Sequence, residues 1–131
     1  MKDFGSHAIS NAESICTAAG ATVPLPRNEI ENNDYSSAFR ALNAPKVWLG
    51  VSDVTTEGEW RDFNGNDISY TNWNAGEPNN NGGNEDYVVM YVADGNGKWN
   101  DCGGGTCGGI DIICETVNGS SIQFFNFAGL F

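Results

Sequence analysis

The sequence predicts an α+β domain in which two helices precede an antiparallel sheet. Apolar residues recur at helical spacing only before residue 45. Beyond that point the chain shows short apolar runs separated by turn residues. Its 131 residues fit one domain, and its 17 glycines favour loops over a helix bundle. Helices followed by strands in this order are typical of the α+β class.

Two helices are predicted in the first part of the chain. The first spans about Ser10–Gly20 and carries Cys16 on its apolar face. The Val-Pro-Leu-Pro sequence at 23–26 then interrupts helical structure. The second helix spans about Asn28–Leu42 and is more polar, so only a narrow stripe of its surface is expected to face the core.

Strands and turns follow from residue 47 onward. Apolar or alternating runs predict strands at Val47–Val51, Glu59–Phe63, Ser69–Tyr70, Tyr87–Val92, Lys98–Asn100 and Ile110–Glu115. Asn-Gly-Asn at 64–66 and Asp-Gly-Asn-Gly at 94–97 are turn sequences. Residues 71–86 contain six Asn and three Gly around one Pro, which excludes regular structure. The sequence therefore predicts a long polar loop above the sheet.

Charge and hydropathy narrow the function. The net charge of −11 argues against nucleic acid, because a protein that binds phosphates needs a basic face. It argues equally against anionic lipid, and no segment is apolar for long enough to form a membrane span. Acidic excess has two further readings, which are solubility and a carboxylate cluster that binds a divalent cation.

The composition of the long loop favours a cation-binding cluster over solubility as the explanation of the acidic residues. Loops of this length in compact domains are usually functional. Calcium takes six to eight oxygens from carboxylates, amides, carbonyls and water. The loop and the strand pair after it supply such oxygens from Glu77, Asn79, Glu85, Asp86, Asn100 and Asp101. Solubility does not explain the many Asn residues, since an amide adds no charge but offers both an oxygen and an NH₂ group.

Five short motifs resemble those of the C-type lectin domain, in its mannose-type subgroup. They are Trp-Leu-Gly at 48–50, Glu-Pro-Asn at 77–79, Glu-Asp at 85–86, Trp-Asn-Asp at 99–101 and Ile-Cys-Glu at 113–115. The resemblance runs from about Asn11 to Glu115. It implies the C-type lectin-like fold, with two N-terminal helices, antiparallel sheets and a long calcium-binding loop. It also implies a disulfide between Cys16 and Cys114.

The resemblance assigns one calcium ion to five residues, which also bind the sugar: Glu77, Asn79, Glu85, Asn100 and Asp101. Their side chains and the Asp101 carbonyl would supply six oxygens, which leaves two coordination places for neighbouring sugar hydroxyls. Carboxylates would accept protons from those hydroxyls and the amides would donate to them. A cis Pro78 is implied, because it aims Glu77 and Asn79 at one point.

The same resemblance predicts the ligand. Glu-Pro-Asn goes with mannose-type sugars that have equatorial 3- and 4-hydroxyls, namely mannose, glucose, N-acetylglucosamine and, by analogous geometry, fucose. The predicted function is calcium-dependent carbohydrate binding for glycan recognition or adhesion. The alternative is a lectin-like domain that binds protein or ice. No enzyme is expected, because the only histidine, His7, is remote from the carboxylates, and carboxylates saturating calcium cannot act as acid and base.

A second calcium site is suggested by Asp53, Glu57, Asn80, Glu85 and Asp86, which match the auxiliary site of the family. Asn80 departs from the pattern, which more often has Asp there. One charge is therefore missing, and both weak binding and loss of this ion remain open. A solvated turn is the alternative reading of the Asp53 and Glu57 pair.

The cysteines indicate an oxidising compartment, and hence a secreted or extracellular protein. The family usually has a cysteine where this chain has Tyr87, so its second cross-link cannot form here. A local Cys102–Cys107 bridge is expected instead, with two free thiols as the alternative. The N-terminus lacks the apolar core of a signal peptide. If the protein is secreted, we expect this sequence to be its mature or trimmed form.

Two regions are predicted, a lectin domain at residues 1–115 and an apolar extension at residues 116–131. The extension contains four phenylalanines and reads as a terminal strand or as a contact between copies. One sugar on one ion binds weakly, on the order of millimolar, so useful avidity needs several copies. A homo-oligomer formed through this extension is the corresponding expectation.

Overall fold

The computed structural model describes residues 9–80, 83, 85–92, 97–103, 110–118 and 121–126. Two helices precede six strands: α1 Ile9–Ala18, α2 Glu29–Ala41, β1 Lys46–Ser52, β2 Arg61–Asp62, β3 Tyr87–Tyr91, β4 Lys98–Cys102, β5 Ile113–Asn118 and β6 Ser121–Asn126. The strands form a four-stranded sheet in the order β2-β1-β3-β4 and a two-stranded sheet of β5 and β6. All pairings between named strands are antiparallel. The α+β prediction is confirmed.

Both faces of the central sheet are buried. Trp48 of β1 packs in a cluster with α1, whereas its neighbours Val47 and Leu49 pack in a second cluster with Tyr35 and Phe39 of α2. Side chains alternate across a strand, so a strand covered on both faces needs apolar residues at every position. This explains the unbroken apolar character of β1.

Three predicted strands differ from those observed. The Glu59–Phe63 prediction shrinks to β2, and Ser69–Tyr70 is not a strand. The Asp62 carboxylate accepts from the backbone N–H groups of Asn64 and Asn66, both at 2.9 Å, and this local turn replaces extended pairing. The last predicted strand begins later, at Ile113, because Asp111 makes only an isolated parallel bridge with Val47 of β1.

The predicted Cys16–Cys114 disulfide is present and joins α1 to β5. A second connection lies beside it, where Thr22 and Glu115 exchange backbone hydrogen bonds of 3.0 and 2.7 Å. Cys102 is also disulfide-bonded. Its predicted partner Cys107 lies outside the described residues, so the Cys102–Cys107 pairing stays a prediction.

The strand β6 packs on α2. The Phe124 ring lies 4.7 Å from that of Tyr35 and 5.2 Å from that of Phe39, both edge-on. Residues 127–131 lie outside the described part of the chain, and the division of the protein at residue 115 stays a prediction. None of the described helices is long and apolar enough to cross a membrane.

Candidate calcium and sugar site

The long loop is fixed to β4 by backbone hydrogen bonds. The Trp99 N–H donates to the Asn72 carbonyl at 2.9 Å, and the Asn74 N–H donates to the Trp99 carbonyl at 2.8 Å. The Trp73 and Trp99 rings are 5.9 Å apart, edge to face. These contacts set the register between the first half of the loop and the strand that carries Asn100 and Asp101.

The buried side-chain amide of Asn32, on α2, also contacts β4 and the residue that precedes it. Trp99 Nε1 donates to Asn32 Oδ1 at 2.8 Å, and Asn32 Nδ2 donates to the Gly97 carbonyl at 3.0 Å. Asn72 Nδ2 donates to that carbonyl as well, at 2.9 Å. Asn32 is 1% exposed. Asn32 was not predicted as a functional residue, although its position three residues before Tyr35, on the apolar stripe of the helix, indicates a side chain that faces the core.

Asp101 is the centre of the first predicted set. Its Oδ1 accepts from the Asn79 N–H at 3.1 Å and its Oδ2 from the Asn80 N–H at 2.6 Å. Asn79 Nδ2 donates to Glu77 Oε2 at 3.3 Å, and the Glu77–Pro78 peptide bond is cis, as predicted. Three of the five predicted residues, two from the long loop and one from β4, are therefore in direct contact.

Glu77 shows that negative charge is concentrated here. Burial, followed by the nearby Asp101 and Glu85 carboxylates, raises the pKa of Glu77 to about 7. Like charges held this close favour uptake of either a proton or a cation. Glu85, the fourth predicted residue, thus lies close enough to Glu77 to repel it.

Asn100 completes the set with an unsatisfied oxygen. Its Oδ1 is buried and has no hydrogen-bond partner among the described residues. A buried amide oxygen without a donor is unfavourable by about 1–3 kcal/mol, so such atoms usually mark a ligand or ion that satisfies them. The five residues of the predicted set offer carboxylate and amide oxygens, which are of the type that calcium prefers, and in this chemistry they fit that ion.

A second acidic cluster contains Asp86, which directly follows Glu85 of the first set in sequence. The carboxylates of Asp53, Glu57 and Asp86 lie within 4.8 Å of one another. Burial is the main cause that raises the pKa of Asp53 and of Asp86. The Glu57 carboxylate raises the pKa of Asp53 further, and the Asp53 carboxylate raises that of Asp86. Asp53 Oδ2 accepts from the Gly58 N–H at 2.8 Å, whereas its buried Oδ1 has no partner in the described chain.

The Asn80 side chain forms a hydrogen bond within the long loop. Its Oδ1 accepts from the Glu85 N–H at 3.0 Å, and its backbone has a positive φ of 46°. Asn tolerates this left-handed conformation better than most residues. The side chain therefore joins Asn80 to Glu85, while its predicted part in a second calcium site stays a prediction.

Tyr87 occupies the position where the resemblance led us to expect a cysteine. It is the strand partner of Cys102 across β3 and β4 and packs, partly buried, against the cluster that includes Trp48 and Val89. Apolar packing thus stands where the family cross-link would be. His7 lies outside the described residues.

Comparison with known proteins identifies the family. The model of the lectin C-type domain matches residues 5–116. Pulmonary surfactant-associated protein D of Sus scrofa is 39% identical over 109 residues, which cover 80% of this chain and 27% of that protein. The chain thus spans about a quarter of the length of this relative.

Solved structures agree on the fold. The mouse scavenger receptor C-type lectin carbohydrate-recognition domain superposes with a TM-score of 0.69 at 23% identity, covering 79% of this chain and 78% of that one. The C-type carbohydrate-recognition domain of cow CD23, solved in the presence of a GlcNAc2Man3 oligosaccharide, gives 0.66 at 29% identity, covering 77% and 74%. Members of the family are carbohydrate-binding proteins and not enzymes, and they generally bind calcium. The chain belongs to the lectin C-type domain family and is a C-type lectin carbohydrate-recognition domain.

Proposed function

We propose that this domain binds mannose-type sugars through one calcium ion. The observation that carries the proposal is the buried Oδ1 of Asn100, which has no hydrogen-bond partner in the described part of the chain and belongs to the residue before Asp101 in β4. The contacts among Glu77, Asn79 and Asp101, together with the charge of Glu85, support the same ion site. A calcium ion would neutralise the carboxylates and provide the Asn100 oxygen with a partner.

Recognition of the sugar rests on alternating acids and amides. When bound, calcium supplies coordination for two neighbouring hydroxyls. Glu77 and Glu85 accept the hydroxyl protons, and the NH₂ groups of Asn79 and Asn100 donate to the hydroxyl oxygens. Asn79 Nδ2 already lies 3.3 Å from Glu77 Oε2, so one such donor and acceptor are side by side.

The Glu-Pro-Asn sequence supports a preference for equatorial 3- and 4-hydroxyls, as in mannose, N-acetylglucosamine and fucose. The cow CD23 domain, which was solved with a mannose-containing oligosaccharide present, is consistent with this preference. Glycan recognition or adhesion outside the cell follows, and the Cys16–Cys114 disulfide supports a secreted protein. The biological role of the complete protein belongs to the same proposal.

The second acidic cluster supports an auxiliary calcium ion. Asp53 is 2% exposed and its Oδ1 has no partner among the described residues, which favours an ion between Asp53, Glu57 and Asp86. Glu85 and Asn80 would complete this set. Isothermal titration should then give two ions for the unchanged protein and one for Asp53→Asn, with mannose binding at saturating calcium retained. A single ion in both proteins would refute the auxiliary site.

Several copies would provide avidity. Residues 116–131 remain the proposed contact, although Phe124 is already engaged with α2. Sedimentation of a chain ending at Glu115 tests this proposal. An unchanged oligomeric state, in a truncated protein whose circular dichroism is native, would remove the segment from consideration.

Affinity chromatography tests the main proposal. The protein should bind mannose-agarose in calcium and elute with a chelator. The double variant Glu77→Gln, Asn79→Asp should move the preference toward galactose, whereas Asp34→Asn, which changes an exposed acid on α2, should leave it unchanged. Retention that is indifferent to chelator, or no binding to any sugar, would overturn the proposal and favour a lectin-like domain for protein or ice.

A further inference from the structure

A cavity of about 540 Å³ lies between α1, the segment 22–27 and the loop 62–70. It shares no residue with either acidic cluster at the proposed calcium site. We propose that it is a second ligand site and that it binds an organic cation with an aromatic or alkyl group. The residues that define this chemistry are Glu13, Asp62, Phe63 and Tyr70.

The walls of the cavity are held in place by backbone contacts. The Gly50 N–H donates to the Pro24 carbonyl at 2.8 Å, which fastens the segment 22–27 to β1. A Cβ at Gly50 would lie 2.7 Å from the Val23 carbonyl oxygen, so only glycine allows this approach. On the other side the Asp62 carboxylate caps the turn of the loop through two N–H groups. Ligand sites are usually preformed in this way.

Charge in the cavity favours a cation. Four carboxylates and one guanidinium line it. That guanidinium, on Arg27, is paired at 3.1 Å with Glu31, which lies outside the cavity. Among the acids, Asp67 is paired at 2.6 Å with Arg61. Arg27 also lies 3.9 Å from the Glu115 carboxylate, so this one guanidinium is shared by two acids. Glu13 and Asp62 remain without a cationic partner among the described residues and leave the cavity negative, so an anionic ligand would be repelled.

Apolar groups form the other half of the lining and specify an amphipathic ligand. Phe63 and Tyr70 are both half-buried and present aromatic surface next to Leu25 and Pro26. Aromatic rings attract ammonium groups through their negative faces and pack well on other rings. The volume is within the range of sites for small organic ligands. A primary amine on a short aryl-alkyl chain fits both requirements.

Three matched probes separate charge from shape: 2-phenylethylamine, 2-phenylethanol and 3-phenylpropionate. Ligand-observed NMR on the full chain, in EDTA to eliminate calcium-dependent sugar binding, should detect the amine most strongly and the carboxylate least. Added mannose and calcium should not displace the amine. Equal binding of all three probes, no binding of the amine at millimolar concentration, or displacement by mannose in calcium would each overturn the proposal.

Two variants locate the site. Glu13→Gln removes an exposed acid of α1 and should weaken amine binding about two- to fivefold, as expected for one partly screened charge. Thr17→Arg, one turn further along the helix, adds a cation to the lining and should weaken it further. Asp34→Asn on α2 is the matched control and should change nothing. Unaltered amine binding in both cavity variants, with native melting temperatures, would refute the assignment.

Discussion

Removal of the Asn32 side chain should destabilise the domain through the strand that carries the proposed sugar site. Asn32 is 1% exposed, and Asn32→Ala leaves the Trp99 indole N–H without its acceptor at 2.8 Å. A buried donor left unsatisfied costs about 1–3 kcal/mol. The Gly97 carbonyl loses one donor but keeps Asn72 Nδ2 at 2.9 Å, so it adds little.

Two smaller effects oppose each other. The void left by the amide costs about 1 kcal/mol, and the better helix propensity of alanine returns about 0.5 kcal/mol. The free energy of unfolding should therefore fall by about 1.5–3.5 kcal/mol. Because Asn100 and Asp101 directly follow Trp99 in β4, affinity for calcium should fall as well.

Urea denaturation with and without chelator measures the first effect, and calcium titration measures the second. Asn33→Ala is the matched control, since Asn33 is the exposed neighbour on the same helix and gains the same helix propensity. A difference between the two variants of less than about 0.5 kcal/mol would show that Asn32 does not hold the strand.

Three further predictions concern charge and connectivity. Since the raised pKa of Glu77, about 7, favours its protonated form, this group should stabilise the calcium-free fold below pH 4.5 and lose that contribution as the pH rises through 7. Calcium affinity should show the opposite pH dependence and fall by up to about tenfold per pH unit below pH 7, because protons compete with the ion for Glu77. In Glu77→Gln, calcium affinity measured from pH 5 to 8 should depend less on pH. Tyr35→Phe removes a 3.0 Å hydrogen bond to Glu115 and should lower the free energy of unfolding by about 1–3 kcal/mol, against no change for Tyr91→Phe. Replacing Cys16 and Cys114 by alanine opens a loop with a sequence separation of 98 and should cost about 2–5 kcal/mol in urea; a loss below 1 kcal/mol would contradict this.

The order of the elements was predictable because the periodic segments are unambiguous. The apolar run of β1 and the helical stripe around Tyr35 each allow one assignment. The strands at Glu59–Phe63 and Ser69–Tyr70 were predicted too generously, because side-chain capping by Asp62 competes with strand pairing and leaves little hydrophobic signal.

The sequence was sufficient to propose the residues of the candidate site, but it did not predict the contacts that hold them in place. Oxygen-rich residues in the loop and in β4 could be recognised because their types and order resemble a family. The apolar stripe of α2 indicates that Asn32 faces the core, but its contact with Trp99 spans 67 positions in sequence and cannot be predicted from the residues near either one. Long-range hydrogen bonds of this kind depend on the packing of α2 against the sheet, which composition does not reveal.

The Cys16–Cys114 bond has a consequence for proteolysis. Every residue between those cysteines, including the long loop of residues 71–86, is part of one covalent ring. A single cut after Asn74 or Gly76, both exposed, would separate the two halves of the loop without releasing a fragment. Nicked protein would migrate as one species until it is reduced. Cleavage would thus abolish the proposed sugar binding while leaving a molecule that size analysis would count as intact.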